Sequence, residues 1–269
     1  MAQTETNSRR MKTVQTAFAL LETIREADGI TLTELTNAHN VSKSSVYHHL
    51  KTLEDLGCVH REDNKYYLGL GLLALGKRTY DRLEVARLLD PEARDLAKEI
   101  GGRVVAMVEQ DNRGYLVYQH RTNEAVITDT GIGDTVHFHC TAIGKAYLAA
   151  ISEEKQREIV ESVDLVEETA ETITSRQELY EELKLTRKRG YSINDEERIE
   201  GMRSVGAPIV TEGGEVLGSL SLSLPITRMK DEDFRDRIPR LVKETTSVIA
   251  IKQAYEGPTR SVNDSSLNW

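Results

Sequence analysis

Two helix starts set close together constrain the N-terminal architecture of this chain more than any other feature of its sequence. Thr31 opens the pattern Thr31-x-x-Glu34, a capping box in which each side chain satisfies a backbone amide near the other. Ser42 follows soon after, behind His39-Asn40-Val41, and is a second favourable N-cap. A helix held between those caps is short, and the turn into the next helix is tight. Leu32 and Leu35 face inward on it, and the helix from Ser42 runs to about Leu56, closed by Gly57. Upstream, Val14, Ala17, Phe18, Leu21 and Ile24 recur at helical spacing, so Thr13 to Ala27 reads as an amphipathic helix ending near Asp28-Gly29. Three short helices with a tight turn between the second and third form a helix-turn-helix.

Charge agrees with that reading once it is divided along the chain. The whole carries a formal net charge of −9. Up to Leu72 there are 8 Lys and Arg against 9 Asp and Glu, which leaves 27 against 35 for the remainder. From Leu35 to Leu53 there is no acidic residue, but there are Lys43, Lys51, His39, His48 and His49. Acidic groups would repel phosphate, so this gap is the electrostatic footprint of a DNA-reading element. On a helical wheel Val46, Leu50, Leu53 and Leu56 make an apolar face. Ser44, Tyr47, His48 and Lys51 lie opposite, with Lys43 and Ser45 at the flanks near the Ser42 cap. A recognition helix in a major groove of double-stranded DNA needs that composition.

Cys58 to Glu62 and Tyr66 to Leu70 read as two strands around Asp63-Asn64-Lys65, a hairpin wing from which Arg61 and Lys65 reach phosphate. The run TLTELTNAHNVSKSSVYHHLKTLEDLGCVHRE, with KYYLGLGLLALG after it, resembles the DNA-binding domain of the IclR family of transcription regulators. Three later stretches resemble the same family in order: HCTAIGKAYLA (His139 to Ala149), RGYSINDEERIEGMRSVGAPI (Arg189 to Ile209) and GSLSLSLP (Gly218 to Pro225). The resemblance implies an α+β chain with a winged helix-turn-helix over 12–71, a linker helix over 72–88 and a GAF/profilin-like effector-binding domain over 89–256. It also implies homodimers that often pair into dimers of dimers, a double-stranded DNA operator and a small-molecule effector, commonly an organic or aromatic acid.

The residues of the C-terminal part give their own element reading. Asp90-Pro91 reads as an N-cap with proline at the first helical position, starting a helix that ends at Gly101-Gly102. Strands are expected at Val104 to Glu109, Tyr115 to His120, near Ala125 to Asp129, Ser204 to Thr211 and Glu215 to Leu224. Helices are expected at Thr141 to Ile151, Ser152 to Ser162, Ser175 to Arg189 and Asp231 to Tyr255. Alternating helices and antiparallel strands make an α+β class. The first eleven residues and the tail over 257–269 read as disordered. No apolar run is long enough for a membrane span and the N-terminus lacks an apolar signal segment, so a cytoplasmic protein is expected.

Carried over from the resemblance residue by residue, the effector site comprises Ala142 and Ile143, Asn194, Ser204, and Ser221 with Ser223. Two physical arguments run beside it. Ser221 and Ser223 are two apart on a strand and so share a face, while Leu220, Leu222 and Leu224 point to the other. The first amides of the helix at Thr141 favour an anionic group. Family members often carry Asp at the Asn194 position and Cys at the Ser204 position. A ligand bound by hydroxyls and amides without a buried cation, such as an organic, sugar or keto acid, is therefore expected.

Two other chemistries use residues in the same region. His137, His139 and Cys140 have metal-ligating side chains, but along a strand Cys140 points away from the histidines unless the chain turns, and further ligands (Glu109, Asp129 or His120) are only nominal. Histidines with satisfied hydrogen bonds beside the pocket are the default expectation, with no metal and no cofactor assigned. A GAF-like enzyme with Cys140 as nucleophile needs a base and an oxyanion site. No nucleotide-binding or nucleophile-elbow motif occurs, and no catalytic residue is expected.

Overall fold

The computed structural model describes residues 11–27, 29–122 and 130–256. The chain divides into two compact units, Met1–Arg82 and Leu83–Trp269. The expected disorder of residues 1–10 and of the tail, the helix stop at Asp28 and the strand near Ala125 to Asp129 lie outside the described residues.

In the first unit α1 (Lys12–Glu26) is followed by β1 (Ile30–Thr31), α2 (Leu32–Ala38), α3 (Lys43–Asp55), β2 (Val59–Glu62), β3 (Lys65–Leu68) and α4 (Gly71–Asp81). Both helix starts are capped as their sequences require. Thr31 accepts from the Glu34 amide while the Glu34 carboxylate accepts from the Thr31 amide at 2.8 Å, and Ser42 Oγ accepts from the Ser45 amide at 3.3 Å. Leu20, Leu21, Ile24, Leu35, Val46, Leu50, Leu53, Val59 and Tyr66 make one core.

The apolar stripe of α1 is centred differently from its sequence expectation. Leu20 and Ile24 bury the helix, whereas Phe18 is 63% exposed and Val14 is also exposed. Leu56 is exposed too: α3 ends at Asp55, so the wheel that put Leu56 beside Leu53 no longer applies.

The wing is part of a three-stranded antiparallel sheet, ordered β1-β3-β2. Its turn is only Asp63-Asn64, with Asp63 at φ 52°, and Lys65 already belongs to β3, opposite Glu62. Two residues was too short a run for β1 to be visible in the sequence. The base of the wing rests directly on the end of α3. Gly69 donates to Cys58 O at 2.8 Å and Gly71 to Gly57 O at 3.0 Å. A Cβ at Gly69 would lie 2.2 Å from Gly57 O, so glycine is a steric requirement at this position.

The expected continuous linker helix over 72–88 is divided. α4 ends at Asp81, and α5 (Glu84–Ile100) starts before Asp90 and carries Pro91 inside it. Proline is tolerated in a first turn and costly inside a helix, which is why the sequence pointed to a start at Asp90. Here Asp90 instead binds Arg94 at 2.6 Å and accepts from the Tyr118 hydroxyl at 3.1 Å.

The second unit continues with β4 (Arg103–Gln110), β5 (Arg113–Arg121), β6 (Thr135–Val136), α6 (Ala142–Ala150), α7 (Glu153–Ser162) and α8 (Arg176–Arg189). It closes with β7 (Ser192–Asp195), β8 (Met202–Val210), β9 (Val216–Pro225) and α9 (Ile238–Glu256). The last helix is entered through a π-helical turn at Asp233–Arg237, not through a regular helix from Asp231. Among the described residues, the six strands of this unit form one antiparallel sheet, ordered β6-β5-β4-β9-β8-β7. The alternation along β9 divides its two faces as expected, and both are buried: Ser219 and Ser221 on one, Leu220, Leu222 and Leu224 on the other. The serine face looks toward α6, where Ser219 Oγ donates to Ile143 O at 2.8 Å.

Candidate functional site

On the first unit, Lys43, Ser44, Tyr47, His48 and Lys51 of α3 are exposed, and Ser45 is half-buried beside the Ser42 cap. The rings of Tyr47 and His48 meet edge-on, 5.8 Å between centroids. The acid-free stretch ends just where two acids become useful: Lys51 pairs with Glu54 at 3.4 Å and Asp55 at 3.1 Å. Exposed pairs of this kind are weak, so phosphate can displace the carboxylates. In the wing Arg61 donates to Asp63 O at 3.2 Å and lies over the Tyr66 ring, 5.7 Å from its centroid. That contact holds the guanidinium close to the hairpin, while Lys65 stays exposed.

On the second unit, four strands align one row of side chains. Register pairs Asn194 with Ser204, Ser204 with Ser223, and Ser223 with Arg103. The next row pairs Gly206 with Ser221 and Ser221 with Val105. Ser204, Ser221, Ser223 and Arg103 open onto a cavity of about 130 Å³ whose opposite wall is Thr141, Ala142 and Ile143 at the start of α6. Ser204 Oγ and Ser223 Oγ are 2.8 Å apart, and Thr141 Oγ1 accepts from the Gly144 amide at 3.1 Å. Helix geometry leaves the Ala142 and Ile143 amides without an intrahelical acceptor.

Asn194 does not line this cavity. It lies in the same row, but its Nδ2 donates to Cys140 O at 2.6 Å and its Oδ1 accepts from the Glu197 amide at 3.1 Å. Its role is to fix the two chain segments that flank the cavity. The charge of the cavity also differs from the sequence expectation of a site without a buried cation. Arg103, 8% exposed, and Arg198 both line the cavity, so a ligand there does meet cations. Arg103 Nη2 donates to Gln119 Oε1 at 2.9 Å and to Thr130 O at 2.9 Å, and Arg198 pairs with Glu168 at 3.0 Å. The sequence signal for Arg103 was a charge heading the apolar run Val104 to Val108, in phase with Val105 and Met107 on alternate positions. Arg198 sits in a loop and gave no such signal.

Behind the cavity, Lys145 of α6 is fully buried and donates to both Glu197 oxygens, at 2.5 and 2.7 Å. Sequence reasoning missed this pair because a lysine inside GKAYLA has no marked partner nearby in the chain. Cys140 is buried as well, and burial pushes its thiol up to about 12. A nucleophile needs the thiolate, so the Cys140 environment opposes the covalent chemistry considered above. Burial also lowers the pKa of His139, whose Nε2 lies 2.9 Å from Val166 O.

Among the described residues, no helix is long and apolar enough to cross a membrane. Residues 77–251 match the family described as "Bacterial transcriptional regulator IclR C-terminal", and residues 13–63 match "IclR helix-turn-helix domain". A relative, the "Probable HTH-type transcriptional regulator ArcR" of Halobacterium salinarum, is 31% identical over 91% of this chain and 94% of its own length. The crystal structure of the Thermotoga maritima IclR superposes with a TM-score of 0.75 at 27% identity, covering 90% of this chain and 99% of that one. An IclR homologue from Microbacterium hydrocarbonoxydans, solved in complex with 4-hydroxybenzoate, shares the fold with a TM-score of 0.74 at 18% identity, over 89% of this chain and 99% of that one. Winged helix-turn-helix, six-stranded α+β domain and both family matches lead to one conclusion: the chain belongs to the IclR family, as a DNA-binding transcription regulator.

Proposed function

We propose that α3 reads base edges through Ser44, Tyr47 and His48, with Lys43, Lys51, Arg61 and Lys65 on phosphate, and that a small carboxylic acid in the second unit controls this binding. The observation that carries the effector reading is the facing of Arg103, Ser204, Ser221 and Ser223 with the start of α6 across one cavity. A carboxylate there receives charged and neutral hydrogen bonds together, with the positive end of a helix dipole behind them. At about 130 Å³ the cavity is comparable to the roughly 150 Å³ space that holds a benzene molecule, so the acid is small. Keto acids and compact aromatic acids meet that limit, and the neighbour solved with 4-hydroxybenzoate is in keeping with it.

The regulator acts in the cytoplasm as a homodimer, or a dimer of dimers, on a roughly palindromic operator. Large apolar side chains left in water on α1 and α4, such as Phe18 and Leu73, support such assembly. Half-sites then lie about 34 Å apart or a multiple of it. The test is a thermal-shift screen of small carboxylic acids, amines and neutral sugars, followed by gel-shift titrations of operator with each hit. Hits that raise the melting temperature and change operator affinity bear the reading out. A screen that yields stabilising amines or neutral sugars but no acid refutes it.

A further inference from the structure

The chain does turn at Cys140. β6 ends at Val136, and the backbone bends through residues 138–140 into the Thr141 cap of α6. Because of that bend Cys140 no longer points away from the histidines. Ligand atoms of His137, His139 and Cys140 all lie within 4.8 Å of one another. Both ends of the bend are fixed: Thr141 Oγ1 donates to His137 O at 2.5 Å, and Asn194 Nδ2 donates to Cys140 O.

The geometry points to a binding site for a zinc-class divalent cation, held by His137, His139 and Cys140 beside the effector cavity, which His137 lines. Tetrahedral bonds of about 2.0–2.1 Å to nitrogen and 2.3 Å to sulfur require the donors to close by roughly 1 Å from the metal-free spacing. His139 is prepared for this. Donation from its Nε2 to Val166 O leaves Nδ1 as the lone-pair nitrogen, and a second ring nitrogen bonded to a carbonyl is the usual outer support of a metal-ligating histidine. His137 is half-exposed and lines the cavity, which gives the ion a route of entry. Glu168 stands 3.7 Å from His137 Nε2 and adds a negative charge nearby. One thiolate with two imidazoles selects zinc or cobalt over magnesium and calcium. Three protein donors leave a fourth position for an exchangeable ligand. Binding replaces the Cys140 S–H bond with a sulfur–metal bond, because the charge of the ion deprotonates the thiol that coordinates it, and releases one proton to solvent, while the neutral imidazoles release none. The inference is independent of which acid the cavity takes.

The test is titration of the full-length chain, stripped with chelator, with Co²⁺ alone. The expected result is one ion per chain, a thiolate-to-cobalt charge-transfer band with strong tetrahedral visible bands, one proton released, and displacement by Zn²⁺. Cys140→Ser removes the charge-transfer band. His137→Asn, at a half-exposed position that spares the fold, weakens Co²⁺ binding by at least the roughly 10–100-fold seen when only an outer-shell partner is lost. Cys58→Ser changes neither property. Absence of the charge-transfer band, its loss in Cys58→Ser, or unchanged affinity in His137→Asn overturns the site.

Discussion

Replacing Arg103 with methionine separates a cation-assisted effector site from one built of hydroxyls alone. Arg103 is nearly buried, and its Nη2 already spans Gln119 and Thr130, so the guanidinium is held in place before any ligand arrives. A hydrogen bond to a charged group is worth about 1.5–3 kcal/mol, against about 0.5–1.5 for a neutral one. At 1.4 kcal/mol per factor of ten, Arg103→Met should therefore weaken effector binding by roughly 10- to 150-fold. Ser221→Ala with Ser223→Ala removes two neutral bonds. It should weaken effector binding by about 1–3 kcal/mol, while the Ser204–Ser223 hydrogen bond, lost with or without ligand, lowers stability instead. Calorimetry with the strongest acid from the screen gives the dissociation constants, and gel shifts without effector show whether DNA binding is spared. Arg103→Lys keeps the charge but not the planar fork and should recover part of the loss. Full-strength acid binding to Arg103→Met, with the fold intact by thermal unfolding, would refute the assignment of the cation.

Four other outcomes are open to direct measurement. Tyr47→Ala or His48→Ala should relax operator choice by about 1–3 kcal/mol between matched and mismatched sites, read by competition gel shifts. Lys65→Ala should weaken all sequences alike and reduce the slope of log K against log salt by about 0.9. Gly69→Ala places a Cβ 2.2 Å from Gly57 O and should destabilise the first unit by about 1–3 kcal/mol, seen as a fall in its thermal midpoint. Lys145→Met leaves the buried Glu197 without its cation and should cost about 3–5 kcal/mol in urea unfolding, most of it recovered by adding Glu197→Leu.

The parts of the structure legible in the sequence were those governed by local rules. The caps at Thr31 and Ser42 are satisfied within four residues, and the two faces of β9 follow from alternation alone. Tertiary packing decided the rest. Pro91 looked like a helix start because local propensity disfavours it inside a helix, yet α5 runs through it, packed through Leu88, Leu89 and Ala93. Phe18 fitted the helical period but lies off the face that Leu20 and Ile24 bury. Asn194 was placed in the pocket by resemblance and stands in the right row of the sheet. Which way its amide turned depended on the Cys140 carbonyl and the Glu197 amide, neither of which can be read from its neighbours in sequence. Arg103, by contrast, reaches the cavity only because β4 lies beside β9, a pairing set by the sheet order.

That sheet order also shows how one short helix organises the site. The first turn of α6 walls the cavity with Ala142 and Ile143, and one residue past Gly144 its Lys145 grips Glu197. Thr172 Oγ1 donates to Glu197 O at 2.7 Å and Asn194 accepts from its amide, so this point of the loop is anchored from three sides. The next two residues, Arg198 and Ile199, extend from that anchor into the cavity lining. An acid that draws Arg198 toward itself therefore competes with Glu168 and leaves the backbone at Glu197 in place. The consequence passes to Glu168 and to the segment that carries Val166 and Thr169, which also contacts His139 and Glu196. Exchanging one charge-assisted hydrogen bond involves about 1.5–3 kcal/mol, the same order as the roughly 1–3 kcal/mol that couples effector and operator in an allosteric regulator. The energy of that one exchange is therefore of the size that such coupling requires.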